Sequence, residues 1–178
     1  MSLVKVTLKL DGLQNKLNSV SKKIQEEVSA ELEAGAMEFR DLAKKDLVSQ
    51  AGDTGTLYRS INYKPIDKYN YNVYADAPYA AFIEFGTKSG FNAEPGLEEY
   101  AAQFRGIRKI GTLKFIDAIK AWVIRKGIAQ GKEADSVAFL IARKIKRDGI
   151  EARPFFFKQM VIVRQNLIKN ISSILNNV

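Results

Sequence analysis

Neither cysteine nor histidine occurs anywhere in the 178 residues. Without cysteine there is no disulfide, no thiolate nucleophile and no thiolate metal ligand. Without histidine the commonest general base and the commonest metal-binding side chain are both gone. No apolar run approaches the roughly 18 residues that a bilayer crossing requires. The N-terminus alternates charged with apolar residues and so lacks the continuous apolar core of a signal peptide, which makes the cytoplasm the expected compartment. Glycine patterns that cradle phosphate, and Asp-rich calcium loops, are missing as well.

The one catalytic device left is a pair of carboxylates. Asp53, Asp76, Glu84, Glu94, Glu98 and Glu99 crowd into one stretch, and two of them could serve as acid and base. Their spacing fixes no separation, and no third group stands ready to tune a pKa. A solvated acidic stretch is the better reading. No catalytic residue, cofactor or metal site is expected.

What is present is a foldable, basic chain. Apolar residues make up 46%, enough for a core, and the net charge is +8. That charge is uneven. Residues 1–50 balance at eight basic and eight acidic side chains, and residues 51–100 carry four against seven. Residues 101–150 carry twelve against four, and the remainder four against one. The basic half favours an acidic or phosphate-bearing partner. Candidate phosphate contacts are Arg105, Arg108 and Lys109, then Arg143, Lys144, Lys146 and Arg147, which end a helical pattern. Cations at a helix C-terminus also suit the macrodipole, so solubility and helix stability explain the same residues.

Periodicity assigns the elements. Val4, Val6, Leu8 and Leu10 alternate with Lys5, Thr7 and Lys9, a half-buried strand. Asp11 can cap a helix after the strand, with Gln14 in capping-box position. Leu13, Leu17, Val20, Ile24, Val28, Leu32, Ala36, Phe39, Ala43 and Leu47 then recur at helical spacing, with Gly35 allowing close packing or a bend. Residues 50–56 are turn-rich. Leu57 to Tyr63 and Asn70 to Ala75 read as two strands joined through Lys64 to Tyr69. A short helix or turn spans Tyr79 to Phe85, ended by Gly86. Further on, Thr112 caps a helix with Phe115, Ile119, Trp122 and Val123, stopped at Gly127. Asp135 or Ser136 caps the next, with Val137, Leu140, Ile141 and Ile145 inward and Gly149 as its stop. Pro154 opens a last helix whose inner face is Phe156, Met160, Val163, Leu167, Ile171 and Ile174. The expected class is α+β: a small antiparallel sheet packed with a long N-terminal and a C-terminal helix. It is read as one domain over 1–178, with a helical insertion at 88–151.

Three motifs stand in order: Asp53-Thr54-Gly55-Thr56-Leu57-Tyr58-Arg59-Ser60-Ile61, then Pro78-Tyr79-Ala80-Ala81-Phe82-Ile83-Glu84-Phe85-Gly86-Thr87, then Ala152-Arg153-Pro154-Phe155-Phe156. With the long helix before them and a helix after, they resemble the tail-completion (neck) family of long-tailed bacteriophages. The stretch Lys88 to Glu151 stands where that family commonly has a short loop. The resemblance implies a virion structural protein at the junction of head and tail, assembled in the host cytoplasm. It also implies rings, commonly hexameric, that dock onto connector or tail-tube proteins. Non-specific DNA contact is an expectation of the basic residues, and the lack of long apolar runs leaves no membrane partner expected. Leu57, Arg59, Tyr79, Phe82, Glu84 and Phe155 are expected to be architectural. Glu84 is placed to pair with a base such as Arg59 or Arg153. The alternative function is nucleic-acid binding through residues 101–150.

Overall fold

A computed structural model describes residues 4–9, 20–50, 55–77, 79–88, 93–104 and 113–176. The elements run β1 (Val4–Lys9), α1 (Lys22–Gln50), α2 (Gly55–Ser60), β2 (Ile61–Asp67), β3 (Asn70–Ala75), α3 (Ala80–Phe85), α4 (Glu98–Ala102), α5 (Leu113–Arg125), α6 (Gly131–Asp148) and α7 (Gln159–Asn176). The class is α+β, as the periodicities imply. Two compact units form, Met1–Glu84 with Pro154–Val178, and Phe85–Arg153. The 88–151 stretch lies within the second.

In the first unit, β3 is the centre of a three-stranded antiparallel sheet of order β1-β3-β2. β1 buries Val4, Val6 and Leu8 and exposes Lys5, Thr7 and Lys9, as a period of two demands. β3 is covered on both faces, and its buried Asn72 is satisfied because the Thr7 hydroxyl donates to its Oδ1 at 2.8 Å. Pro65 sits on the outer strand β2, where its missing N–H costs no ladder bond.

Helix α1 packs against the sheet and against α7. Val28, Leu32, Ala36, Phe39, Ala43 and Leu47 are at most 1% exposed, at the three-and-four spacing expected of an inner face. Phe39 meets Phe156 edge to face at 4.9 Å, and burying each such ring contributes on the order of 2–3 kcal/mol. Gly35 permits close packing: a Cβ there would lie 2.7 Å from Leu167 Cδ2. Polar contacts fringe the same seam in antiparallel order. Asn170 donates to Glu31 (2.7 Å), Asn166 to Glu38 (2.8 Å), and Lys158 pairs with Asp46 (2.8 Å).

The structure departs from the periodicities at several points. Residues 57–60 are helical, and the strand begins only at Ile61. Leu57 and Ile61 are four apart, one helical turn, and the Ser60 hydroxyl donates to the Leu57 carbonyl at 2.8 Å. The hairpin loop shrinks to Lys68–Tyr69, closed by Asp67, whose Oδ1 accepts the Tyr69 N–H at 2.8 Å. Pro154 does not open the last helix, which starts at Gln159. Phe156 therefore precedes the helix whose inner face it was expected to begin, and Val163, Leu167 and Ile171 continue that face.

The second unit is built on the α5–α6 hairpin. Ile119, Val123, Ala129, Ala134, Ala138 and Ala142 form its core, with Ile116, Trp122, Val137, Ile141 and Ile145 packed against it. α6 starts at Gly131, earlier than the Asp135 or Ser136 expected as its cap, and its N-cap Gln130 makes no side-chain capping bond. Asp135 instead pairs with Lys120 at 2.7 Å. Alanines, not Leu140, hold the centre of the inner face, and Leu140 is 60% exposed. Gly127 (φ 67°) and Gly149 (φ 76°) stop their helices as the sequence suggests. The Asp11 and Thr112 caps, the Asp53-Thr54 turn and the helical pattern from Leu13 to residue 19 lie outside the described residues.

Candidate functional site

The first unit's most unusual group is a buried acid. Glu84, near the end of α3, is 2% exposed, and its Oε2 accepts the backbone N–H of Phe155 (2.8 Å) and of Phe156 (2.9 Å). Its Oε1 accepts the Phe157 N–H at 3.0 Å. Nearby, the Gln159 side-chain amide donates to the Phe155 carbonyl at 3.2 Å. Burial pushes the Glu84 carboxyl above its ordinary range, against the pull of these three N–H groups and of Lys158. Its hydrogen-bond donors are main-chain N–H groups; of the two arginines expected to pair with it, Arg59 is exposed on α2 and Arg153 is exposed ahead of the Phe155 segment. The segment 154–158 is neither helix nor strand, so its N–H groups need side-chain or other acceptors, and Glu84 supplies them. A carboxylate enclosed in this way is a joint in the chain and presents no open face to a substrate.

The next residues of the same motif work inside the second unit. Gly86 has φ 65°, and a Cβ there would lie 2.5 Å from the Ala152 nitrogen, so no other residue fits. Thr87 donates its N–H to the Ile150 carbonyl at 2.8 Å, and its hydroxyl accepts the Ile150 N–H at 2.6 Å. Phe85, Tyr100 and Phe104 form an aromatic cluster with centroids 5.3–5.7 Å apart. Thus Glu84, Gly86 and Thr87 each have a mechanical reason to stand where they do, and so do Ile150, Ala152 and Phe155 to Phe157.

The other architectural candidates separate by exposure. Leu57 and Phe155 are core residues of the first unit, Phe82 is half-buried, and Tyr79 is 41% exposed. Among the acids, Asp76, Glu98 and Glu99 are exposed, and Glu98 accepts the Gly96 N–H at 2.8 Å. No group of three or more His, Cys, Asp or Glu side chains that could hold a metal ion is found among the described residues. Arg143, Lys144, Lys146 and Arg147 are exposed on α6, whereas Arg105, Arg108 and Lys109 lie outside the described residues. No helix among the described residues is long and apolar enough to cross a membrane.

Sequence reasoning missed a groove. Beside the outer strand β1, Val6, Leu8, Leu32, Met160, Leu167 and Ile171 line an apolar cleft of about 470 Å³, with Lys9 and Arg164 among its polar residues. Its signal was Ile168 and Leu175, apolar positions beside the expected inner face of α7.

Residues 11–86 match the model of a family described as "Bacteriophage HK97-gp10, putative tail-component". The resemblance to a phage tail family is thereby borne out over those residues. The HK97-gp10-like match takes in α1, the sheet's second and third strands and the Glu84 motif, and ends at Gly86. No curated protein and no solved structure matches the chain.

Proposed function

We propose that this chain is a structural tail component of a bacteriophage, acting at the junction of head and tail as an assembly part and not as an enzyme. The HK97-gp10-like match of residues 11–86 carries the reading. The described surface supports it. β1 is an outer strand, and the apolar groove opens directly beside it. An outer strand next to an apolar cleft is suited to strand addition by a neighbouring chain. β2, the other outer strand, exposes Ile66 at 55%. Heterologous contacts of this kind between identical copies close into a ring when the rotation allows. A connector or tail-tube protein is the second partner. The chain is made in the host cytoplasm and ends in the virion.

Sedimentation and electron microscopy test this with the purified chain, alone and mixed with its tail-tube partner. Ring-sized particles in either sample are expected. A monomer in both would sink the proposal.

A further inference from the structure

We propose that the solvent-facing side of α6 binds the phosphate backbone of duplex DNA without regard to sequence. This stands on the second unit alone and is independent of the tail reading. At about 100° per residue, Lys132, Ser136, Arg143 and Arg147 fall within about 60° of one another. They lie opposite the buried Ala134, Ala138 and Ala142, and all four are exposed. Lys144 and Lys146 flank them.

Helix stability alone does not account for this face. Cations in the last turn suit the macrodipole, but Lys132 stands in the first turn, where a positive charge is unfavourable. The dipole also gives no reason for Phe139 and Leu140, which are 55% and 60% exposed among the cations. The acids on the helix are accounted for in part: Asp135 pairs with Lys120, and Asp148 pairs with Arg147 at 2.6 Å. Glu133 is the remaining acid and lies in the first turn.

The pattern fits a phosphate backbone better than a lipid surface. An interfacial helix buries a broad apolar face, whereas the apolar face of α6 is already packed on α5. Only Phe139 and Leu140 are left outside. From Lys132 to Arg147 the helix spans about 22 Å, roughly the length of six or seven base pairs. Lys132, Arg143, Lys144 and Lys146 then contact phosphates, with Arg147 shared with Asp148, and Phe139 packs against sugar between them.

The test is fluorescence anisotropy of the full chain with a 20-base-pair duplex, across a salt series. About four neutralised phosphates predict a log–log salt slope near −3.6, or roughly a 100-fold loss of affinity between 50 and 200 mM salt. Two unrelated duplex sequences should bind within a factor of about two. Arg143→Glu with Lys144→Glu should weaken binding at least tenfold and flatten the slope by about 2. Both side chains are exposed, and an unchanged circular dichroism melt confirms that the fold is intact. An unchanged slope in this double variant overturns the proposal, as does failure of the native chain to bind at 50 mM salt. Capture by phosphatidylserine vesicles without duplex binding overturns it too.

Discussion

The two compact units solve the same packing problem with different materials. The first buries large side chains, Phe39, Phe155 and Phe156 among them, and fixes its chain crossings with specific polar contacts. Glu31 and Glu38 of α1 are engaged by α7, Asp46 by Lys158 just ahead of α7, and Glu84 by three backbone N–H groups. The second unit packs two neighbouring helices through a stripe of alanines and leaves most of its α6 cations facing solvent. Where contacts are long-range, polar groups fix the arrangement. Between the neighbouring helices α5 and α6, small side chains suffice.

The contrast makes opposite substitutions harmful in the two units, and the single tryptophan lets them be read separately. Trp122 belongs to the second unit, while six of the seven tyrosines belong to the first. Removing the buried acid by Glu84→Ala leaves three enclosed N–H groups without acceptors. It should cost the first unit about 4 kcal/mol in urea unfolding followed by tyrosine fluorescence. A variant as stable as the native chain would refute the joint. Glu84→Gln keeps one acceptor oxygen and should cost less. Because burial raises the folded carboxyl's pKa, the folded chain holds a proton at Glu84 where the unfolded chain has released it. The stability tied to that shift is full below the unfolded value and is lost as pH rises through the folded one. The native chain should therefore lose ground against Glu84→Gln as pH is raised from about 4 to 7.

Next in size is Gly86→Ala. The new methyl would strike the Ala152 nitrogen and force a positive φ on alanine. A loss of about 2–3 kcal/mol is expected in the Trp122 signal. Ala138→Leu overfills the alanine stripe and should cost the same unit about 1–3 kcal/mol. Its exposed neighbour Leu140→Ser should change stability by less than about 0.5 kcal/mol. If Leu140→Ser proves the worse of the two, the inner and outer faces of α6 have been misassigned.

Much of the fold was legible because periodicity reports burial. β1 and α1 declare their inner faces through spacings of two and of three or four, and Gly127 and Gly149 mark real helix ends. The misses have physical causes. α2 is six residues long, too short for a helical period to stand apart from alternation. The start of α6 carries no capping side chain, so Asp135 looked like a cap while its carboxylate was pairing with Lys120. Alanine gives a weak hydropathy signal, and Leu140 outweighed the stripe that is buried. The partners of Glu84 are main-chain N–H groups, which every residue but proline carries, so no pattern of residue types could name them. The α6 cations were legible as charge, and only the fold shows that Lys132 joins them on one face.

The smallest effect lies in the β2–β3 turn. Asp67 accepts the Asn70 side-chain amide at 2.6 Å and the Tyr69 N–H at 2.8 Å, and these bonds hold its carboxyl below the usual carboxylate range. A depressed folded value means that the contribution is present above the unfolded value and disappears as pH falls through the folded one. Asp67→Ala should therefore lower the first unit's urea midpoint slightly at about pH 7, and the gap to the native chain should narrow toward about pH 3. The tyrosine signal should move while Trp122 stays in place, since the turn belongs to the unit fixed by specific polar contacts. An equal gap at both pH values would mean that the turn is held by backbone geometry alone. A shift of Trp122 by the same amount would mean that the two units unfold together, and the contrast drawn between them would then describe packing but not stability.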